Sequence, residues 1–168
     1  MGKIQANVVN NFGKNQNENM SGLNLPSFEL KLRKQNGKDY VFDRLRKQYV
    51  RLTPEEYVRQ HFINFLIEHK NYSESLMNNE IGIEIGNVKR RCDTVLYDKF
   101  MNPILIVEYK SPAVKITQET FEQIVRYNMA LCVPRLIVSN GLEHFCCKID
   151  YEKNGYEFEK DIPSYLDL

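Results

Sequence analysis

Apolar positions along the chain change period several times, and each change marks an element. Phe28-Glu29-Leu30-Lys31-Leu32 alternates apolar with polar, and Lys38-Asp39-Tyr40-Val41-Phe42 resumes the alternation after Gln35-Asn36-Gly37. Asn-Gly between two such runs predicts a peripheral hairpin. At Thr53 the period turns helical: Thr as N-cap, Pro54 at the first helical position and Glu56 three residues after the cap, the pattern of a capping box. By helical phase Val58, Phe62, Phe65 and Leu66 form the buried stripe, with Glu55 near it and Glu56 pointing away. After a polar linker over 71–79, Ile81-Gly82-Ile83-Glu84-Ile85 reads as a strand leading through Lys89-Arg90-Arg91 into two apolar runs, 91–97 and 104–110, joined by a turn over 98–103. A helix over 117–131 follows with Phe121, Ile124 and Val125 inward, then a buried strand over 135–139 and a turn at Asn140-Gly141. A last hairpin, 143–150 with 155–159, bends about Lys153-Asn154.

Composition adds limits. With 168 residues, 42% of them hydrophobic, the chain can bury one core but has no room for a motor domain beside it. A single domain over 26–168 is expected. Residues 1–25, rich in Asn, Gln and Gly, predict a disordered tail, in which Met20 offers a second start. A net charge of +1 gives no general attraction to polyanions, so phosphate contacts would rest on local clusters such as Lys89-Arg90-Arg91 and Lys110 with Lys115. Cys92, Cys132, Cys146 and Cys147 include no Cys-x-x-Cys pair, and neighbours on a strand face opposite ways, so free thiols in a reducing compartment are expected. His61, His69 and His144 stand apart from one another and from other ligand types, which argues against zinc. No stretch reaches membrane-span length and the N-terminus lacks a signal-peptide core, so a cytoplasmic protein is expected.

The candidate chemistry lies in the hairpin. Alternation puts Asp93, Val95 and Tyr97 on one face of its first strand, and Ile104, Ile106, Glu108 and Lys110 on one face of its second. Symmetric pairing about the turn sets Tyr97 against Ile104, Val95 against Ile106 and Asp93 against Glu108. A bulge would spoil that register. Two facing carboxylates repel unless a cation lies between them, and oxygen-only donors suit Mg²⁺ or Mn²⁺. Lys110 beside them can orient a water or stabilise a charged transition state, the equipment of phosphodiester hydrolysis. A Glu-x-Lys at a strand end is ordinarily an exposed ion pair, but Glu108 follows Pro103-Ile104-Leu105-Ile106-Val107, where an unpaired charge is costly. On the first helix, Glu55 reads as a favourable charge at a helix N-terminus, close to the buried stripe, and Arg59 either pairs with Glu55 or reaches a phosphate. Gln123 and Tyr127, four apart, share a flank of the later helix.

Asp93, Glu108-Tyr109-Lys110 and Gln123-Ile124-Val125-Arg126-Tyr127 together resemble the PD-(D/E)xK nuclease superfamily, and most of all the nuclease domain at the N-terminus of type I restriction enzyme motor subunits, over about 53–141. Cys92 stands where the motif has Pro, a position that makes no metal contact. The resemblance implies a restriction-endonuclease-like α/β core, a central mixed sheet flanked by helices in the order αβββαβ with peripheral hairpins, and a Mg²⁺- or Mn²⁺-dependent DNA nuclease. It implies metal ligation by Asp93, Glu108 and the main-chain carbonyl of Tyr109, catalysis assisted by Lys110, Gln123, Tyr127 and Glu55, and DNA contacts from Arg59, Arg90, Arg91, Lys115 and Arg126. DNA is the implied partner, with a second copy or helicase and methylation subunits beside it. The alternative is a nuclease-like fold retained as a non-catalytic nucleic-acid- or protein-binding module.

Overall fold

The structure, a computed structural model, describes residues 22–85 and 87–168, and for Ile85, Val88, Arg90 and Tyr127 the backbone alone. Strands β1 (Leu32–Gln35), β2 (Lys38–Asp43) and β3 (Gln48–Arg51) form a small antiparallel sheet in that order. Its first turn has left-handed Asn36 and Gly37, φ 50° and 70°, as the Asn-Gly signal predicts. The strand over 48–51 was not foreseen; its burial pattern offers little alternation to read.

Helix α1 (Pro54–Lys70) begins where expected, with Thr53 Oγ1 accepting the Glu56 N–H at 3.1 Å, and ends at left-handed Asn71. It is buried far beyond the expected stripe. Val58, Phe62 and Leu66 pack with Leu105, Val107, Tyr109 and Ile137, but Glu56, Arg59, Gln60, His61 and Ile63 are buried too. The small sheet and the segment before it cover α1 from the other side: the Arg44 N–H meets Gln60 Oε1 at 3.5 Å, and the Phe28 ring lies 6.1 Å from His61. A single-stripe reading fails for a helix with neighbours on both sides.

Next come β4 (Met77–Ile85), β5 (Val88–Tyr97), β6 (Pro103–Tyr109), α2 (Gln118–Met129), β7 (Arg135–Ser139), β8 (His144–Asp150) and β9 (Gly155–Glu159). They build a six-stranded sheet in sequence order, antiparallel except for the β6–β7 pair, which the α2 crossover makes parallel. This is the mixed α/β arrangement expected, with αβββαβ at its centre. Phe121 and Val125 of α2 pack on one face with Val95, Ile106, Val138 and Cys147, while α1 covers the other, where Cys146 lies. None of the four cysteines forms a disulfide.

Val95 opposes Ile106 as expected, but a bulge between Leu96 and Tyr97 sets Tyr97 against Pro103 instead of Ile104. The bulge sits beside the turn, so the register from Leu96↔Leu105 to Thr94↔Val107 is regular. Continued by one residue, it brings Asp93 opposite Glu108. Strict alternation along β5 fails, however: Cys92 and Val95, an odd number apart, both join the cluster under α2. The break falls at Asp93.

Of the expected tail, residues 1–21 lie outside the described residues. Leu23 and Leu25 pack against the α1 side of the core, and the Asn24 N–H donates to the Gly141 carbonyl at 2.7 Å. No helix among the described residues is long and apolar enough to cross a membrane.

Candidate active site

Around Asp93, acidic side chains from four elements converge: Glu55 of α1, Glu80 of β4, Asp93 of β5 and Glu108 of β6. Asp93 accepts from the Tyr109 backbone N–H at 2.8 Å through one carboxylate oxygen and from the Arg59 guanidinium at 3.0 Å through the other. The Glu108 carboxyl lies against it. Burial first, then the Asp93 charge, push the Glu108 pKa up to about 8; Lys110 and Arg59 act in the opposite direction. Glu55 at the start of α1 feels the same field. Burial and then Asp93 raise its pKa, and Lys110 and Arg59 lower it. Its side chain is 44% exposed, on the open side of the cluster.

Arg59 is the hub. At 2% exposure it pairs with Glu56 at 2.8 Å, Glu80 at 2.7 Å and Asp93 at 3.0 Å, with Glu55 at 4.0 Å, and its guanidinium lies 5.6 Å from the Tyr109 ring centre. A guanidinium so buried and so occupied cannot reach DNA phosphate. Of the two roles open to Arg59, the structure shows the ion pair: at 4.0 Å with Glu55, as the helix spacing suggested, and more closely with Glu56, Glu80 and Asp93.

Glu56 is likewise not the outward residue expected. Only 7% exposed, its carboxylate accepts from Arg59, Gln60 and Arg46, the last reaching in from the β2–β3 turn at 3.1 Å. Arg46 also bonds the fully buried Asp43, which accepts from Asn79 at 2.9 Å. Asn79 in turn accepts from Thr94 at 2.6 Å, so polar groups run unbroken from the small sheet to β5.

Glu80 was missed altogether. It interrupts β4 with φ 54° between the pairs Asn79↔Thr94 and Ile81↔Cys92, which places it across from Asp93, and it joins Arg59 to Arg91, the latter at 2.6 Å. Its sequence neighbourhood is a polar linker, and nothing local signals a left-handed Glu inside a strand.

The remaining candidates lie further out. Lys115 is exposed in the β6–α2 loop, Gln123 and Arg126 are exposed on α2, and Arg91 is held by Glu80. Among the described residues no hydrogen bond joins Gln123 to Lys110 or to the carboxylates. The side chains of Arg90 and Tyr127 lie outside the described residues.

Glu55, Glu80, Asp93 and Glu108 outnumber Arg59 and Lys110 in this cluster, and all their donors are oxygens. That donor set, with one carboxyl driven toward its neutral form by burial and by the carboxylate beside it, is of the oxygen-only kind that a hard divalent cation takes. Among the described residues no group of three or more His, Cys, Asp or Glu side chains is arranged to hold a metal ion.

A family model described as type I restriction enzyme R protein N terminus matches residues 54–163. Among solved structures, a fragment described as an HsdR subunit of a type I restriction enzyme from Vibrio vulnificus YJ016 is similar, with 19% identity and a TM-score of 0.49. The similarity covers 70% of this chain and 24% of that one, so the present chain spans about a quarter of that protein's fragment. No curated protein matches. With the family model covering more than half of its length, the chain belongs to the type I restriction enzyme R protein N-terminal family.

Proposed function

We propose that the chain is a divalent-metal-dependent DNA nuclease domain that hydrolyses phosphodiester bonds. The observation that carries this reading is the apposition of Asp93 and Glu108 on paired strands, with Lys110 in their field and Glu55 opening toward solvent. Asp93, Glu108 and the Tyr109 carbonyl would hold Mg²⁺ or Mn²⁺. Once bound, such an ion supplies Lewis acidity and neutralises charge at a phosphoryl group. Arg59 and the Tyr109 N–H hold the Asp93 carboxylate in one orientation. Lys110 would orient the attacking water and offset charge on the transition state, and Glu55 would accept a proton from that water. Arg90, Arg91, Lys115 and Arg126 supply phosphate contacts, and Gln123 and Tyr127 support DNA or Lys110. One such site cuts one strand, so cutting both needs a second copy or a partner subunit.

Cleavage of supercoiled and single-stranded DNA tests this directly. Nicking that requires Mg²⁺ or Mn²⁺, stops with chelator, and falls at least a hundredfold in Asp93→Ala and Lys110→Ala is expected, roughly the scale of a lost electrostatic or acid-base group. The rival reading is a non-catalytic binding module, favoured by the fact that both Asp93 oxygens already have protein donors. Salt-sensitive DNA binding, with no cleavage in any divalent metal, would establish it.

A further inference from the structure

The outer face of the β1–β2–β3 sheet takes no part in the acid cluster and lies upstream of the family match. In β2, Val41 and Asp43 are buried, so Tyr40 and Phe42 project the opposite way. The register sets Arg33 and Arg51 on either side of Tyr40, and Tyr49 beside Phe42. The Arg33 guanidinium lies 4.5 Å from the Tyr49 ring centre, Arg51 lies 5.9 Å from that of Tyr40, and the Lys31 amine 5.7 Å from that of Phe42. No Asp or Glu occupies a register position on this face, and no ion pair engages Lys31, Arg33 or Arg51 among the described residues. The neighbouring Arg44, Arg46 and Lys47 behave differently: each is neutralised by a carboxylate.

Cations resting on aromatic rings, exposed and without counter-ions, form a surface complementary to a polyanion that also has flat faces to stack. We propose that this face is a binding platform for single-stranded DNA, with phosphates on Arg33, Arg51 and Lys31 and bases on Tyr40 and Tyr49. Stacking on the rings requires bases released from a duplex, whose pairs hide their faces, so a single strand is the occupant that uses both halves of the chemistry. An anionic membrane would use only the charge, as this face projects no aliphatic side chains for insertion. The guanidinium-on-ring contacts hold the cations in place before binding, which reduces the ordering cost.

The test uses the full chain in EDTA, where hydrolysis is silent, with a labelled oligothymidylate followed by fluorescence anisotropy. Binding should weaken steeply with salt. Tyr49→Ala should lose about tenfold in affinity while Tyr49→Phe retains it, and Arg33→Gln with Arg51→Gln should reduce the log-log salt slope by about 1.4. Melting temperatures of the variants, measured alongside, confirm that each is folded. Wild-type affinity in folded Tyr49→Ala and in the double arginine variant would overturn the proposal. So would equal or tighter binding of a duplex of the same length, or of phosphatidylserine vesicles.

Discussion

At the scale of single residues, the balance of charge and burial at Arg59 decides more than any other feature. Replacing Arg59 with Met leaves Glu56, Glu80 and Asp93 without their shared counter-ion in a site shielded from water. Breaking a buried pair in this way costs about 3–5 kcal/mol, and urea denaturation of Arg59→Met should show a loss of that order. Arg91→Met is the contrasting case. Its side chain is 73% exposed, so its pair with Glu80 is screened and the same measurement should change by under about 1 kcal/mol. His61 gives a pH signature. Burial lowers its pKa to about 4, against an ordinary 6.5. Below about 6.5 the unfolded chain binds a proton that the folded chain refuses, so stability is full above that pH and declines as pH falls toward 4, by up to about 3 kcal/mol. Denaturation midpoints across this range should fall less steeply in His61→Gln. Some slope will remain, because burial lowers His144 as well.

The elements show which local signals survive tertiary packing. Thr53 caps α1 as the sequence implies, and Thr53→Ala should cost about 1 kcal/mol in thermal or chemical unfolding by freeing the Glu56 N–H. The other half of the expected capping box is absent, because stronger partners claim the Glu56 carboxylate: two arginines and Gln60. The β5–β6 hairpin shows the same division. Its apolar alternation fixed Val95 against Ile106, while the bulge at Tyr97 and the loss of alternation between Cys92 and Val95 have no local signal in the sequence.

For the whole molecule, the small sheet is a structural partner of the six-stranded core as well as a surface. Arg46 and Asp43 anchor it to Glu56 and Asn79, and Phe28 covers His61. A chain beginning at Leu52 retains the entire family match but exposes the second side of α1 and strips Glu56 of Arg46. It should therefore melt well below the full chain in a thermal scan, or fail to fold. A melting temperature within a few degrees of the full chain would show that the core stands without the sheet.

The sequence alone determined the elements whose period, caps and turns are local: α1 from Thr53, the Asn36-Gly37 turn, the hairpin register around Val95, and the placing of Asp93 and Glu108 on paired strands. Backbone sterics and alternation act over a few residues, so a few residues suffice to read them. Only the tertiary structure decided that Arg59 turns inward to Asp93, 34 positions away, that Glu56 is buried, and that Glu80 enters the cluster on a left-handed backbone. Those outcomes come from charges brought together between a helix and a sheet, where removal from water forces each group to find a partner, and no local pattern records which partner it will be.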